Sequence, residues 1–153
     1  MKTLELKVPP PIVAVLVALA MWAAGGLGAP FPVVLPLRLS VALLIALAGA
    51  ACSVAGARAF RRARTTVNPM TPGATSALVN NGIYRITRNP MYLGLLCVLV
   101  GWTVFLASPY ALPGPIVFVL YINRFQIAPE ERVLLALFGA EYARYRARVR
   151  RWL

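Results

Sequence analysis

LSVALLIALAGAACSVAGA, residues 39–57, runs for nineteen positions without a charged side chain and is flanked by Arg38 and Arg58. The hydrocarbon core of a bilayer is about 30 Å thick and takes roughly 20 apolar residues in a helix, so this run has the length and composition of a membrane span. Its many small residues suit close packing against another helix. Upstream, no charge occurs between Lys7 and Arg38, and the stretch from Ile12 to about Leu27 is rich in Ala, Val and Leu. That stretch is expected to be a first span, broken by Gly25, Gly26, Gly28, Pro30 and Pro32. Lys2 and Lys7 precede it without a convincing small-residue cleavage site, and further spans follow, so it reads as a retained helix. The two helices are expected to form a hairpin.

Downstream the character changes. Arg58, Arg61, Arg62 and Arg64 lead into a stretch with prolines, glycines and hydroxyls but no apolar period, which reads as an aqueous loop over 58–90. Asn89 to Asn123 is again free of charge, but Ser108, Pro109, Pro113, Gly114 and Pro115 divide it into a second hairpin, about 91–106 and 110–125. From Pro129 to Trp152, Leu134, Phe138, Tyr142, Tyr145, Val149 and Trp152 recur at intervals of four and three, the mark of an amphipathic, interfacial helix. Pro129 suits its first turn, Glu130 and Glu131 suit the positive end of its dipole, and Gly139 is a candidate bend. The expected fold is an all-α polytopic membrane protein. It is one domain over 1–153, with spans at 12–27, 39–57, 91–106 and 110–125 and a C-terminal helix at 129–152; three spans are the alternative.

Composition agrees: of 153 residues 60% are hydrophobic and 13% charged, so apolar surface in excess of one core must face lipid. The net charge of +12 would point to nucleic acid in a soluble protein. Here the basic clusters are separated by long uncharged tracts and are not interleaved with aromatics, which argues against a nucleic-acid partner. Placing the N-terminus in the cytoplasm puts fifteen of the sixteen Lys and Arg residues on that side, with Arg38 alone opposite. Both ends are then cytoplasmic, in a membrane expected to be the prokaryotic plasma membrane. Histidine is absent, which removes a histidine base, a Ser-His-Asp triad and the common zinc sites, so no metal is expected. Cys52 and Cys97 lie in apolar runs without metal or redox spacing and read as packing residues.

Unusual polar residues gather in the loop and at the start of the last helix, both on the cytoplasmic side, where they can meet. Asn89-Pro90 has the form of a helix start, with Asn as the cap and Pro in the first turn, leaving free N–H groups at which an anion can bind. Leu78-Val79-Asn80-Asn81-Gly82-Ile83-Tyr84 and then Arg88-Asn89-Pro90-Met91-Tyr92-Leu93-Gly94 resemble a signature of the isoprenylcysteine carboxyl methyltransferases and related phospholipid methyltransferases. Glu130-Glu131, followed by Phe138-Gly139-Ala140-Glu141-Tyr142 and Tyr145, is similar to that family's ending, in the right order and after two hydrophobic spans. The resemblance covers about residues 66–149.

It implies S-adenosylmethionine as cofactor, lined by Ser76, Ala77, Leu78 and Val79 together with Tyr84, Asn89, Pro90, Met91, Tyr92 and Glu130. The residue chemistry matches such a ligand: Arg88 and the Asn89 helix start suit its carboxylate, Glu130 its ammonium or ribose, and Tyr84 and Tyr92 its adenine or sulfonium. Methyl transfer needs alignment and exclusion of water more than a strong base, in keeping with the missing histidine. Two positions depart from the pattern. Asn89 stands where the family has histidine, and Gln126 stands where the prenylcysteine enzymes carry a substrate-binding arginine, with Arg124 as a nearby substitute. Arg124, Gln126 and Glu130 are therefore the candidate catalytic residues. The acceptor is expected to be a lipophilic small molecule or lipid-modified substrate in the membrane, reacting through a carboxylate, thiol or amine. Each residue also has a plainer reading: belt aromatics for Tyr84 and Tyr92, topology charges for Arg85 and Arg88, helix-end charges for Glu130 and Glu131, and helix packing for Gly94 and Gly101. The GGLG at 25–28 follows a spanning helix, not a strand, and is no nucleotide motif. The alternative functions are a small non-enzymatic membrane module or transporter, or a family member without catalysis. All four glutamates lie outside the spans, unlike the acidic residue a proton-coupled transporter needs within one.

Cysteine labelling or reporter fusions are expected to place both ends and residue 75 in the cytoplasm; an external C-terminal end would sink the four-span arrangement.

Overall fold

The computed structural model describes residues 5–63 and 76–153. Lys2, Arg64, the turn pairs Asn68-Pro69 and Pro72-Gly73, and the labelling position at 75 fall outside these residues. Every named element among the described residues is helical. α1 spans Pro10–Gly25, α2 Leu35–Arg62, α3 Pro90–Leu106, α4 Pro113–Ile122 and α5 Ala128–Arg148. Short 3₁₀ turns occur at Gly82–Arg85 and Pro109–Ala111, and a π-helical turn at Asn123–Ile127.

Two stretches are long and apolar enough to cross a membrane: α2, of 28 residues, and the continuous helical run Pro109–Arg148, of 40. The run exceeds what a bilayer needs, and it is free of charge only as far as Asn123. Its first half is the part whose composition suits hydrocarbon, and the half beyond Arg124, with Glu130, Glu131 and Arg132, suits the interface. α1 and α3 are apolar but only 16 and 17 residues long, about 24–26 Å at 1.5 Å per residue. Of the four expected spans, then, two have spanning length and two are shorter apolar helices.

α2 and α3 make the closest pairing. Ala42, Gly49 and Gly56 recur every seven residues along the buried edge of α2, and the antiparallel edge of α3 answers with Gly101, Gly94 and Pro90. A Cβ on Gly49 would lie 2.6 Å from the Gly94 carbonyl, and one on Gly101 would lie 2.7 Å from the Ala42 carbonyl. Small residues here let two backbones touch, the packing that drives association where lipid satisfies large apolar side chains equally well. Gly94 and Gly101 are thus packing residues. Cys52 Sγ and Ser53 Oγ donate to the carbonyls of Pro90 (3.3 Å) and Met91 (3.2 Å), fastening the start of α3 to α2. Both cysteines are free and partly exposed. The expected hairpin of the first two helices is not a packed pair: α1 packs on α3 and α4, while α2 packs on α3. Trp102 on α3 donates to the Ala18 carbonyl at 3.1 Å to hold α1 there.

The C-terminal part differs from expectation in three ways. The helix expected to begin at Pro129 is already under way: the π-turn carries α4 straight into α5. Pro129 has no N–H to give Phe125, and that carbonyl instead accepts the Leu6 N–H at 3.1 Å. Glu130 and Glu131 therefore do not sit at a free helix start. The helix ends at Arg148 rather than 152, and Val149 turns extended. The apolar stripe faces protein, not the membrane interface: Leu134, Phe138, Tyr142, Tyr145 and Val149 pack with Val79, Tyr84 and Phe60, and Trp152 joins the main core. Gly139 does interrupt the helix, at φ 48° and ψ −121°, a conformation that favours glycine. The expected loop is also shorter, since α2 continues helical through Arg62.

A Cβ on Gly94 would overlap the Ser53 side chain. Gly94→Val is expected to cost about 1–3 kcal/mol by overpacking, read as a lower Tm of the detergent-purified protein. Gly26→Ala, whose new Cβ would meet nothing closer than the Ala23 carbonyl at 3.5 Å, should leave the Tm unchanged.

Candidate functional site

The segment before α3 folds as a 3₁₀ turn because Gly82 takes φ 56°, which a side chain would disfavour. The turn buries Tyr84. Its ring meets Phe60 of α2 edge-on with centroids 5.4 Å apart, and its carbonyl accepts the Tyr145 hydroxyl of α5 at 2.8 Å. Loop, α2 and α5 are thereby drawn together, so the last helix closes over the loop.

Asn89 precedes α3 but does not cap it: its side chain makes no bond to the first turn. Instead Nδ2 donates to the Arg151 carbonyl at 2.9 Å, and the first-turn N–H groups of α3 have no side-chain cap. Pro90 and Met91 face α2, where both lie close to the Cβ position of Gly56. Tyr92 turns the other way. Its hydroxyl donates to Glu130 Oε1 at 2.5 Å, and the Gln126 side chain is hydrogen-bonded to both Tyr92 and Glu130. Tyr84 is close enough to feel the charge of Glu130.

Glu130 lies beyond the charge-free part of its helix, and there burial raises its carboxyl to about 8. The hydrogen bonds from Tyr92 and Gln126 oppose that rise, and the neighbouring Glu131 adds to it. Burial likewise pushes the Tyr84 hydroxyl upward, with Tyr145 and Glu130 in support. A carboxyl held in this way is poised to ionise when a cation arrives.

The remaining expected residues divide. Val79 is buried beside Tyr84, with Leu78 packed against it, while Ala77 is half-buried and Ser76 exposed. Arg88 is engaged: Nη2 pairs with Glu131 Oε1 at 3.0 Å and Nη1 donates to the Arg146 carbonyl at 3.4 Å. Its Nε is buried with no partner. Arg124, expected to reach the position of Gln126, points elsewhere: it is exposed and pairs with Glu5 Oε1 at 2.8 Å, and Arg132 pairs with the other oxygen of Glu5. The Arg124 bond holds the Glu5 carboxyl below its usual range. Gln126 is itself 1% exposed. Sequence reasoning missed Glu131 and Arg151 as partners of this region. Nothing in their spacing signals contacts that close only in three dimensions.

The pattern describing phospholipid methyltransferases matches residues 37–141. An uncharacterized protein of Haemophilus influenzae is 54% identical over 63 residues, 41% of this chain and all of that protein. The protein-S-isoprenylcysteine O-methyltransferase of Saccharomyces cerevisiae is 33% identical over 75 residues, 47% of this chain and 30% of the enzyme. Protein-S-isoprenylcysteine O-methyltransferase B of Arabidopsis thaliana is 39% identical over 75 residues, 47% of this chain and 36% of the enzyme. The matched part thus spans about a third of each of these two methyltransferases. No solved structure matches the chain.

Proposed function

The chain belongs to the phospholipid methyltransferase family, and from that membership we propose that it is an integral membrane methyltransferase using S-adenosylmethionine to methylate a lipophilic acceptor at the cytoplasmic interface. The observation that carries the reading is the Tyr92–Glu130–Gln126 cluster, half-buried at Glu130, in the first turn of α3 and near Tyr84. A half-buried carboxyl with a raised pKa and no paired cation is a candidate ligand contact. The proposed topology has both ends cytoplasmic and four crossings within one domain, the short α1 and α3 being accommodated by local bilayer thinning.

The residues present fit the donor. Its ammonium would meet Glu130, and its carboxylate the unpartnered Arg88 Nε and the uncapped first turn of α3. Its adenine and sulfonium would lie against Tyr84 and Tyr92. Bound there, S-adenosylmethionine supplies an electrophilic methyl group. The chain's part is to orient and to exclude water: Tyr92 and Gln126 fix the Glu130 carboxylate, and α5 packs over Leu78, Val79, Ile83 and Tyr84. Because the Glu130 carboxyl is raised to about 8, it must lose its proton before it can hold a cation. Binding therefore releases a proton, and affinity rises with pH below that value.

Calorimetry on the detergent-purified protein tests this. Glu130→Gln is expected to weaken S-adenosylmethionine binding by about 1.5–3 kcal/mol. Wild-type affinity should increase from about pH 6 to about pH 7.5, and the variant's should change less, since the raised carboxyl has been removed. Equal affinities in a folded variant would return Glu130 to a structural role.

Acceptor choice follows from two side chains. Gln126 is committed to Tyr92 and Glu130, and Arg124 to Glu5, so neither offers a cation to a free carboxylate acceptor. With labelled donor, a lipophilic thiol, amine or other lipid-borne group is expected to be methylated at least as well as a prenylated cysteine carboxylate. Arg124→Ala should change neither rate. Turnover of a prenylcysteine analogue alone, abolished by Arg124→Ala, would restore a carboxylate acceptor.

A further inference from the structure

Beyond α5 the chain does not wander off. Val149 is extended, and Arg150 bridges to Thr87 in parallel, its carbonyl accepting the Arg88 N–H at 3.0 Å. The next carbonyl, of Arg151, accepts from Thr87 Oγ1 at 3.2 Å and from Asn89 Nδ2 at 2.9 Å. Trp152 Nε1 then donates to Asn123 Oδ1 in the π-turn at 3.1 Å. This short strap thus holds the start of α3 and the π-turn at once. It lies outside residues 37–141, the part the family pattern matches.

One carboxylate organises the strap. Glu131 accepts Arg88 on Oε1 at 3.0 Å and Arg151 Nη2 on Oε2 at 2.6 Å, with Arg151 Nε 3.1 Å from Oε1. The side chains of Glu131 and Arg88 are 12% and 10% exposed, so water screens the pair little. Arg88 lies two residues before α3 and Tyr92 in its first turn, and Glu131 and Glu130 are adjacent on α5. The contacts Arg88–Glu131 and Tyr92–Glu130 therefore form two rungs between the same two elements. If the outer rung is cut, the inner one loses the ion pairs beside it, and two guanidinium groups are left facing each other.

We propose that Glu131 is a positioning residue, which through Arg88, Arg151 and the 149–152 strap keeps the start of α3 in register with Glu130. Its consequence for the cofactor rests on the reading above. The register itself does not.

Hydrogen exchange and calorimetry on the purified full chain separate the two. Glu131→Gln is expected to speed exchange of the 87–93 amides by at least about tenfold, leave α2 unchanged, and raise the S-adenosylmethionine Kd by a similar factor. Glu131→Asp should recover part of both. Arg151→Gln, at a more exposed site, gives the same pattern more weakly and serves if the first variant does not fold. Unchanged exchange at 87–93 in a folded Glu131→Gln protein overturns the proposal, and faster exchange with an unaltered Kd overturns the positioning role. Wild-type protein that takes up no S-adenosylmethionine overturns the cofactor reading, and exchange alone then decides the register.

Discussion

Large apolar side chains gain nothing by leaving lipid for one another, so helices in a bilayer are joined by backbone proximity and by polar bonds. The seam between α2 and α3 meets that constraint, and the other features hang from it. With Gly49 against Gly94 and Ala42 against Gly101, the backbones are close enough for Cys52 and Ser53 to reach the carbonyls at the start of α3. That start then has one position, and so does Tyr92 within its first turn. A side chain at any of these small residues would displace the polar cluster before it touched it.

The polar residues inside this frame are almost all satisfied, as burial demands. Tyr92, Gln126 and Glu130 bond among themselves, and Glu131 takes two arginines. The Tyr145 hydroxyl finds the Tyr84 carbonyl. Arg88 Nε is an exception among the described residues near this cluster. A donor left bare there stands one residue from the uncapped first turn of α3, and the two together make a locally electropositive corner opposite the Glu130 carboxyl.

Much of this was legible in the sequence, for reasons that differ by residue. The charge-free runs and the proline-marked start at Pro90 are local signals, and they correctly gave helices. The stripe Leu134, Phe138, Tyr142, Tyr145 is periodic and marked an apolar face, read as interfacial, that packs on protein instead. What the period cannot say is which surface covers the face, and the answer is the 78–84 segment and α2. The start expected at Pro129 failed because a proline marks a helix start only if the preceding residue breaks, and here the helix runs on through the π-turn while the Leu6 N–H takes the carbonyl that Pro129 leaves free. Arg124 and Gln126 are two apart in sequence yet face different partners, a divergence that helix geometry alone produces. The partners of Asn89 and Glu131 lie some 60 and 20 residues away, beyond any local rule.

The π-turn at Asn123–Ile127 has one more bearing. A turn of this kind holds one residue more than an α-turn, and each residue advances the helix by about 100°. Everything after Ile127 is therefore in a different angular phase from everything before Asn123. The apolar half of this long helix and the half that carries Glu130 are aimed independently, as two gears set on one shaft. Removing a single residue from the turn would leave both halves helical and every side chain present. It would also rotate the Glu130 carboxyl by more than a quarter circle, away from Tyr92.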